Sequence, residues 1–126
     1  MTAGEFAALL DQLAQALAAR DHAAAADCFS VDVRYRDPLR TSLDGRAQLL
    51  EMFDTEMVAP VVVWRTVLFD ESKQMGAVEY TSRGQHRFHG VAIARVEGTV
   101  IAEWRALQHL SDFEWAEFWG GAEPGA

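Results

Sequence analysis

Cys28-Phe29-Ser30-Val31-Asp32-Val33-Arg34-Tyr35-Arg36-Asp37-Pro38 is the stretch on which the reading of this chain turns. Before it, apolar residues recur at helical spacing; within it they alternate. From residue 31 to 37 one face carries Val31, Val33, Tyr35 and Asp37, and the other carries Asp32, Arg34 and Arg36. That period of two predicts a strand with one face buried. Pro38 is expected to end it, because proline has no N–H to give to a ladder.

Upstream, Phe6, Leu9, Leu10, Leu13 and Leu17 predict a first helix. Thr2 with Glu5 three residues later makes a capping box that starts it near residue 3. Asp21 is placed to cap a short second helix over residues 22–29. Downstream, Asp44-Gly45 opens a third helix with Ala47, Leu50, Phe53 and Met57 on one side, closed by Pro60. Residues 61–70 are apolar on both faces, which predicts a long central strand covered twice. Residues 75–83 and 86–97 read as a hairpin, and 99–108 follows the turn signal Glu97-Gly98. Ser111 and Glu114 form another capping box before a last helix through Phe113, Trp115 and Phe118, stopped by Gly120-Gly121. This assigns residues 1–121 to a single domain and 122–126 to a flexible tail.

Helices first and a meander afterwards predict an α+β fold. The expectation is a cone-shaped, curved antiparallel sheet made of the first strand and a four-strand meander. N-terminal helices cover its concave side, and a short C-terminal helix follows. Such a sheet encloses an apolar hollow in which a small molecule can bind.

Composition narrows the function. The chain has 126 residues, of which 50% are hydrophobic and 24% charged, enough for one core and too apolar for disorder. Acids outnumber bases 19 to 11, a formal charge of −8, which repels phosphate and argues against nucleic acid as a partner. No apolar run approaches the roughly 20 residues that cross a bilayer, so no membrane partner is expected. Glu5 and Asp11 interrupt the N-terminus, which lacks the basic start of a signal peptide. Cys28 is the single cysteine, so no internal disulfide can form, and a buried inert thiol is expected there. A cytoplasmic location follows as the expectation.

The order of elements and several phrases resemble the nuclear transport factor two-like superfamily, which includes ketosteroid isomerase, limonene epoxide hydrolase and the SnoaL-like polyketide cyclases. The phrases are Ala19-Arg20-Asp21-His22, the stretch 28–38 quoted above, Leu43-Asp44-Gly45-Arg46-Ala47-Gln48-Leu49-Leu50-Glu51-Met52-Phe53, Phe88-His89-Gly90-Val91-Ala92-Ile93-Ala94-Arg95-Val96-Glu97-Gly98 and Ile101-Ala102-Glu103-Trp104-Arg105. Together they span about residues 5 to 119, and the chain looks most like SnoaL-like members with no assigned reaction. The resemblance to the isomerase implies a base at Asp37, where Asp37-Pro38 matches. Its two oxyanion donors fall on Leu13 and on Ala92 or Ile93, which cannot donate, so steroid isomerisation by that mechanism is not implied. The hydrolase's Trp-Arg-Asp phrase becomes Trp104-Arg105-Ala106 here, without the acid.

Asp37 is the leading catalytic candidate, a carboxylate sharing the inward face of Val33 and able to act as a general base. Tyr35 points the same way and can donate a hydrogen bond. If Gly84 and Gln85 form the hairpin turn, His89 lies opposite Tyr80, on a face shared with Val78, Val91 and Ile93, and the two are further catalytic candidates able to polarise a carbonyl or shuttle a proton; a turn at Arg83-Gly84 destroys that pairing. Trp64, Trp104 and Leu13 complete the expected wall. His86 and His89, three apart on a strand, point to opposite faces, so no metal is expected, and no Gly-rich phosphate loop calls for a cofactor. Glu79 and Glu103 are expected in cross-strand ion pairs, Glu103 with Arg87 or Arg95. His22 and His109 read as surface residues. Trp115, Phe118 and Trp119 exceed what one small helix can bury, and with the resemblance they imply a homodimer. Two functions follow as expectations. One is a cofactor-independent isomerase, cyclase or dehydratase with Asp37 as base, acting on a small apolar molecule. The alternative is a non-catalytic module that binds such a ligand or dimerises.

Overall fold

The structure is a computed structural model that describes residues 1–37 and 42–121. Pro38 as strand terminator and the tail 122–126 lie outside the described residues. Helix α1 (Ala3–Ala18) begins as the capping box dictates: Thr2 Oγ1 accepts from the Glu5 amide at 3.1 Å, and Glu5 Oε1 accepts from the Thr2 amide at 2.8 Å. Phe6, Leu9, Leu10, Leu13 and Ala16 form its buried face. Helix α2 (His22–Asp27) is capped by Asp21, whose carboxylate accepts from the Ala24 amide at 3.1 Å. It stops short of the expected residue 29. Phe29 instead opens strand β1 (Phe29–Arg36), where its ring is packed against Tyr35, Phe53 and Trp104.

The remaining elements are β2 (Ser42–Asp44), α3 (Arg46–Asp54), β3 (Val61–Asp70), β4 (Met75–Arg83), β5 (Arg87–Glu97), β6 (Val100–Leu110) and α4 (Trp115–Phe118). The strands form one curled sheet in the order β2-β1-β6-β5-β4-β3. The α+β reading holds, with two differences. The short β2 adds a sixth strand where a loop was expected, and β1 runs parallel to β6, so the sheet is mixed. Helix α1 packs along β3, and α2 and α3 cover β1. Between these layers lies one cluster of buried side chains, centred on Phe6, Leu10, Phe29, Val33, Leu49, Val78 and Ile101.

Five local expectations are corrected. Residues 61–70 form the edge of the sheet and not its centre; Val61, Val63 and Leu68 are exposed, while Val62, Trp64, Val67 and Phe69 face the core. A register shift between Trp64 and Thr66 changes which parity faces inward, which is why both faces read as apolar. On β1, the pairing with β6 is irregular between Phe29 and Arg34, and Val31 is turned out at 73% exposure although Val33 is fully buried. On α3 the buried residues are Leu49 and Phe53, and the helix ends before the exposed Met57. Asp44 does not cap it, since its carboxylate accepts from Arg36 at 2.9 Å. Glu114, not Ser111, caps α4, with Glu117 as its partner.

Cys28 is 3% exposed, and burial, reinforced by the neighbouring charge of Asp27, pushes its thiol up to about 11. At pH 8 roughly a thousandth of it is then thiolate. Iodoacetamide is expected to leave the folded protein unlabelled at pH 8 and to label it fully in urea, read by mass spectrometry. The unfolded thiol loses its proton first, near 9, so this group's contribution to stability holds below that pH and declines as pH rises toward 11.

Candidate functional site

A cavity of about 180 Å³ opens between the helix-covered face of the sheet and the helices. The sheet contributes Tyr35, Trp64, Tyr80, Phe88, Trp104 and Gln108; the helices contribute Leu13, Leu17, Met52 and Phe53. Its rim is the three-residue β4–β5 turn Gly84-Gln85-His86 together with Val58 and Pro60, against which Gly84 packs closely. The aromatic wall is continuous. Trp64 meets Tyr80 at 5.9 Å and Trp104 at 6.1 Å, ring edges against ring faces, and Phe29 meets Trp104 at 6.3 Å. Strand register explains the grouping, because Tyr35 lies beside Trp104 across β1–β6, and Trp64 lies beside Tyr80 across β3–β4.

Glu56, Ser82 and Gln108 are the polar residues within this wall, and Gln85 and His86 stand at its rim. Trp64 Nε1 is occupied, donating to the Leu10 carbonyl at 2.7 Å and tying β3 to α1. The Tyr80 hydroxyl donates to Gln108 Oε1 at 2.7 Å. That bond spans two strands: Gly90 of β5 lies between Tyr80 and Gln108 in the register, and the tyrosine ring passes over it. A Cβ at position 90 would stand 2.7 Å from the Tyr80 hydroxyl and 2.9 Å from the Gln108 Cβ. Glycine is required there to let the ring cross.

Of the residues singled out from the sequence, Leu13, Tyr35, Trp64, Tyr80 and Trp104 line this cavity. His89, Val91 and Ile93 do not. The β4–β5 turn holds three residues, so Arg83 pairs with Arg87 and Tyr80 lies opposite Gly90, with His89 opposite Thr81. Neither expected turn is present, and the single extra residue moves every odd-numbered side chain of β5 to the outer face. There Val91 and Ile93 border an open depression of about 510 Å³ with Arg105 and Leu107. His89 Nε2 is 2.9 Å from Glu79 Oε2, with its ring edge-on to Phe118 and Trp115 of α4. Asp37 is buried at 8% exposure, yet it borders the same outer depression and is not part of the described cavity wall. Among the described residues, Tyr80 and Asp37 border different hollows.

The ion pairs lie elsewhere. Glu103 pairs with Arg95 at 2.7 Å, one of the two expected partners, and this contact chiefly holds its carboxyl below the usual range. Arg87 turns instead to Glu114 at 2.7 Å. His22, expected on the surface, has a side chain only 15% exposed and lies 2.7 Å from Asp54. The sequence reading missed Phe29, Phe88 and Gln108 as wall residues. Gln108 was legible by phase, four residues after Trp104 on one strand, whereas Phe88 depends on the turn length.

A curled, unclosed six-stranded sheet with three helices at one face and a short C-terminal helix defines an α+β class of fold. Residues 10–106 match the family model of the SnoaL-like domain, and the chain belongs to that family. No curated protein sequence matches it. Its fold is similar to that of an LEH-like epoxide hydrolase from M. tuberculosis, with TM-score 0.73, 15% identity and 84% of each chain covered. It is also similar to a protein of unknown function with a cystatin-like fold from Methylobium petroleophilum, with TM-score 0.74, 15% identity, and 94% of this chain and 91% of that one covered. An NTF-2-like protein of unknown function from Burkholderia xenovorans has TM-score 0.70 and 22% identity, over 92% of this chain and 93% of that one. At such identities the likeness is one of fold. No helix among the described residues is long and apolar enough to cross a membrane.

Proposed function

We propose that this protein binds a small, mostly apolar molecule in the cavity bounded by Trp64, Tyr80 and Trp104. The observation that carries the reading is the largely aromatic and aliphatic wall, with Tyr80 and Gln108 as a hydrogen-bonded polar pair and Glu56 and Ser82 as its other inner polar residues. A volume of about 180 Å³ suits a single ring, since a dry apolar cavity of about 150 Å³ is enough for benzene. Acid–base turnover with Asp37 as general base has weaker support, because that carboxylate borders the outer depression and not this wall. His89 and Glu79 form their pair on the same outer side.

Toluene is the first probe. At ten times its Kd it is expected to stabilise the fold by about 1.4 kcal/mol, seen as a rise of several degrees in Tm. Leu17→Trp, at a half-buried position on the cavity wall, is expected to fill the space and abolish that rise while leaving the circular dichroism unchanged. A full toluene response in the filled variant would place binding elsewhere and overturn the reading.

A further inference from the structure

Besides the exposed Gln85 and His86 at its rim, two residues of the cavity wall, Trp104 and Gln108, carry N–H donors with no partner among the described residues. Trp104 is 5% exposed, and its indole nitrogen has no hydrogen-bond partner among the described residues, in contrast to Trp64, whose nitrogen is bound to Leu10. Ser30 Oγ is the single side-chain polar atom among the described residues that is both sealed off and unpartnered. The Trp104 nitrogen is therefore not sealed in the core, and Trp104 is a wall residue of the cavity. Gln108 is similar. Its Oε1 is taken by the Tyr80 hydroxyl, which fixes the amide and leaves Nε2 without a partner among the described residues on the same wall.

A donor held in an apolar wall at a cost in desolvation discriminates for an acceptor, because only an acceptor restores the lost hydrogen bond. We infer that the ligand of this cavity carries a carbonyl oxygen, as a small cyclic ketone, ester or lactone does, and that Trp104 Nε1–H is its principal donor. Gln108 Nε2, four residues further along β6 toward the rim, is the second donor for a ligand long enough to reach it. This rests on the binding reading above and adds the chemical class. Apolar walls select for size, and the indole N–H selects for the oxygen.

The test compares cyclohexanone with methylenecyclohexane, which has nearly the same shape and a CH2 group in place of the oxygen. Both are titrated into ¹⁵N-labelled protein while the four tryptophan indole N–H signals are followed. Trp104→Phe assigns the signal of interest, and Trp64 is an internal control already bonded to the backbone. The ketone is expected to bind about three- to ten-fold tighter and to shift the Trp104 signal downfield; the alkene is not expected to produce that shift. In Trp104→Phe the preference for the ketone is expected to vanish. Equal affinities with no selective shift would overturn the inference and leave apolar binding intact. If neither compound binds, the binding reading fails and the inference with it.

Discussion

Phe6→Ala is expected to lower the free energy of unfolding by about 3–5 kcal/mol, a large share of the roughly 5–15 kcal/mol that holds a domain of this size together. Phe6 is fully buried, and its ring stacks on Phe69 at 4.6 Å with 24° between the planes. It pins the first turns of α1 to the edge strand β3, which has a sheet neighbour on one side only. Relaxation around the gap is restricted, because the strand side is fixed by its ladder to β4. Gly76 of β4 shows how closely the ring is seated: a Cβ there would stand 2.6 Å from two of its carbons. Urea denaturation followed by far-ultraviolet circular dichroism measures the loss. A change below about 1 kcal/mol would mean that α1 is held by contacts other than this ring.

Gly90→Ala has the second largest expected effect and acts on stability and binding together. The added methyl meets the Tyr80 ring and the Gln108 Cβ, so the tyrosine must leave its path over β5. Overpacking of this kind costs about 1–3 kcal/mol, measurable as a lower urea midpoint. Displacing Tyr80 also breaks the bond to Gln108 and disturbs its edge-on contact with Trp64, so toluene binding is expected to weaken at least ten-fold. Tyr80→Phe separates the two effects, since it removes the hydroxyl and keeps the ring in place. It is expected to retain most toluene binding. A Gly90→Ala protein that bound toluene as tightly as the native one would show that the Tyr80–Gln108 bridge does not shape the cavity.

The sequence reading was most reliable where an interaction closes within a few residues. Thr2 and Glu5 cap α1 because both partners lie within one helical turn, and the period of Phe6, Leu10 and Leu13 selects a buried face without reference to any other segment. The extent of β4 followed from its alternation for the same reason. Membership of the SnoaL-like family was legible from the order of phrases, and the match over residues 10–106 agrees with it. Asp37 was placed by extrapolating one strand's phase, but a strand end can turn its last residue toward either side of a sheet. The depression that Asp37 borders is completed by Val91, Ile93 and Arg105, residues far along the chain.

By itself, the sequence determined the four helices, five of the six strands and the α+β class, because periodicity and capping are properties of neighbouring residues. Only the tertiary structure decided which residues meet in the cavity. One residue more in the β4–β5 turn sends His89, Val91 and Ile93 outward and brings Phe88 to the wall in their place. A side-chain period of two makes facing depend on whether the turn holds an odd or even number of residues, and Arg83-Gly84-Gln85-His86 is compatible with either count. The energy that chooses between them comes from packing Tyr80 over Gly90 against Gln108, a contact among three strands that no single stretch of the chain contains.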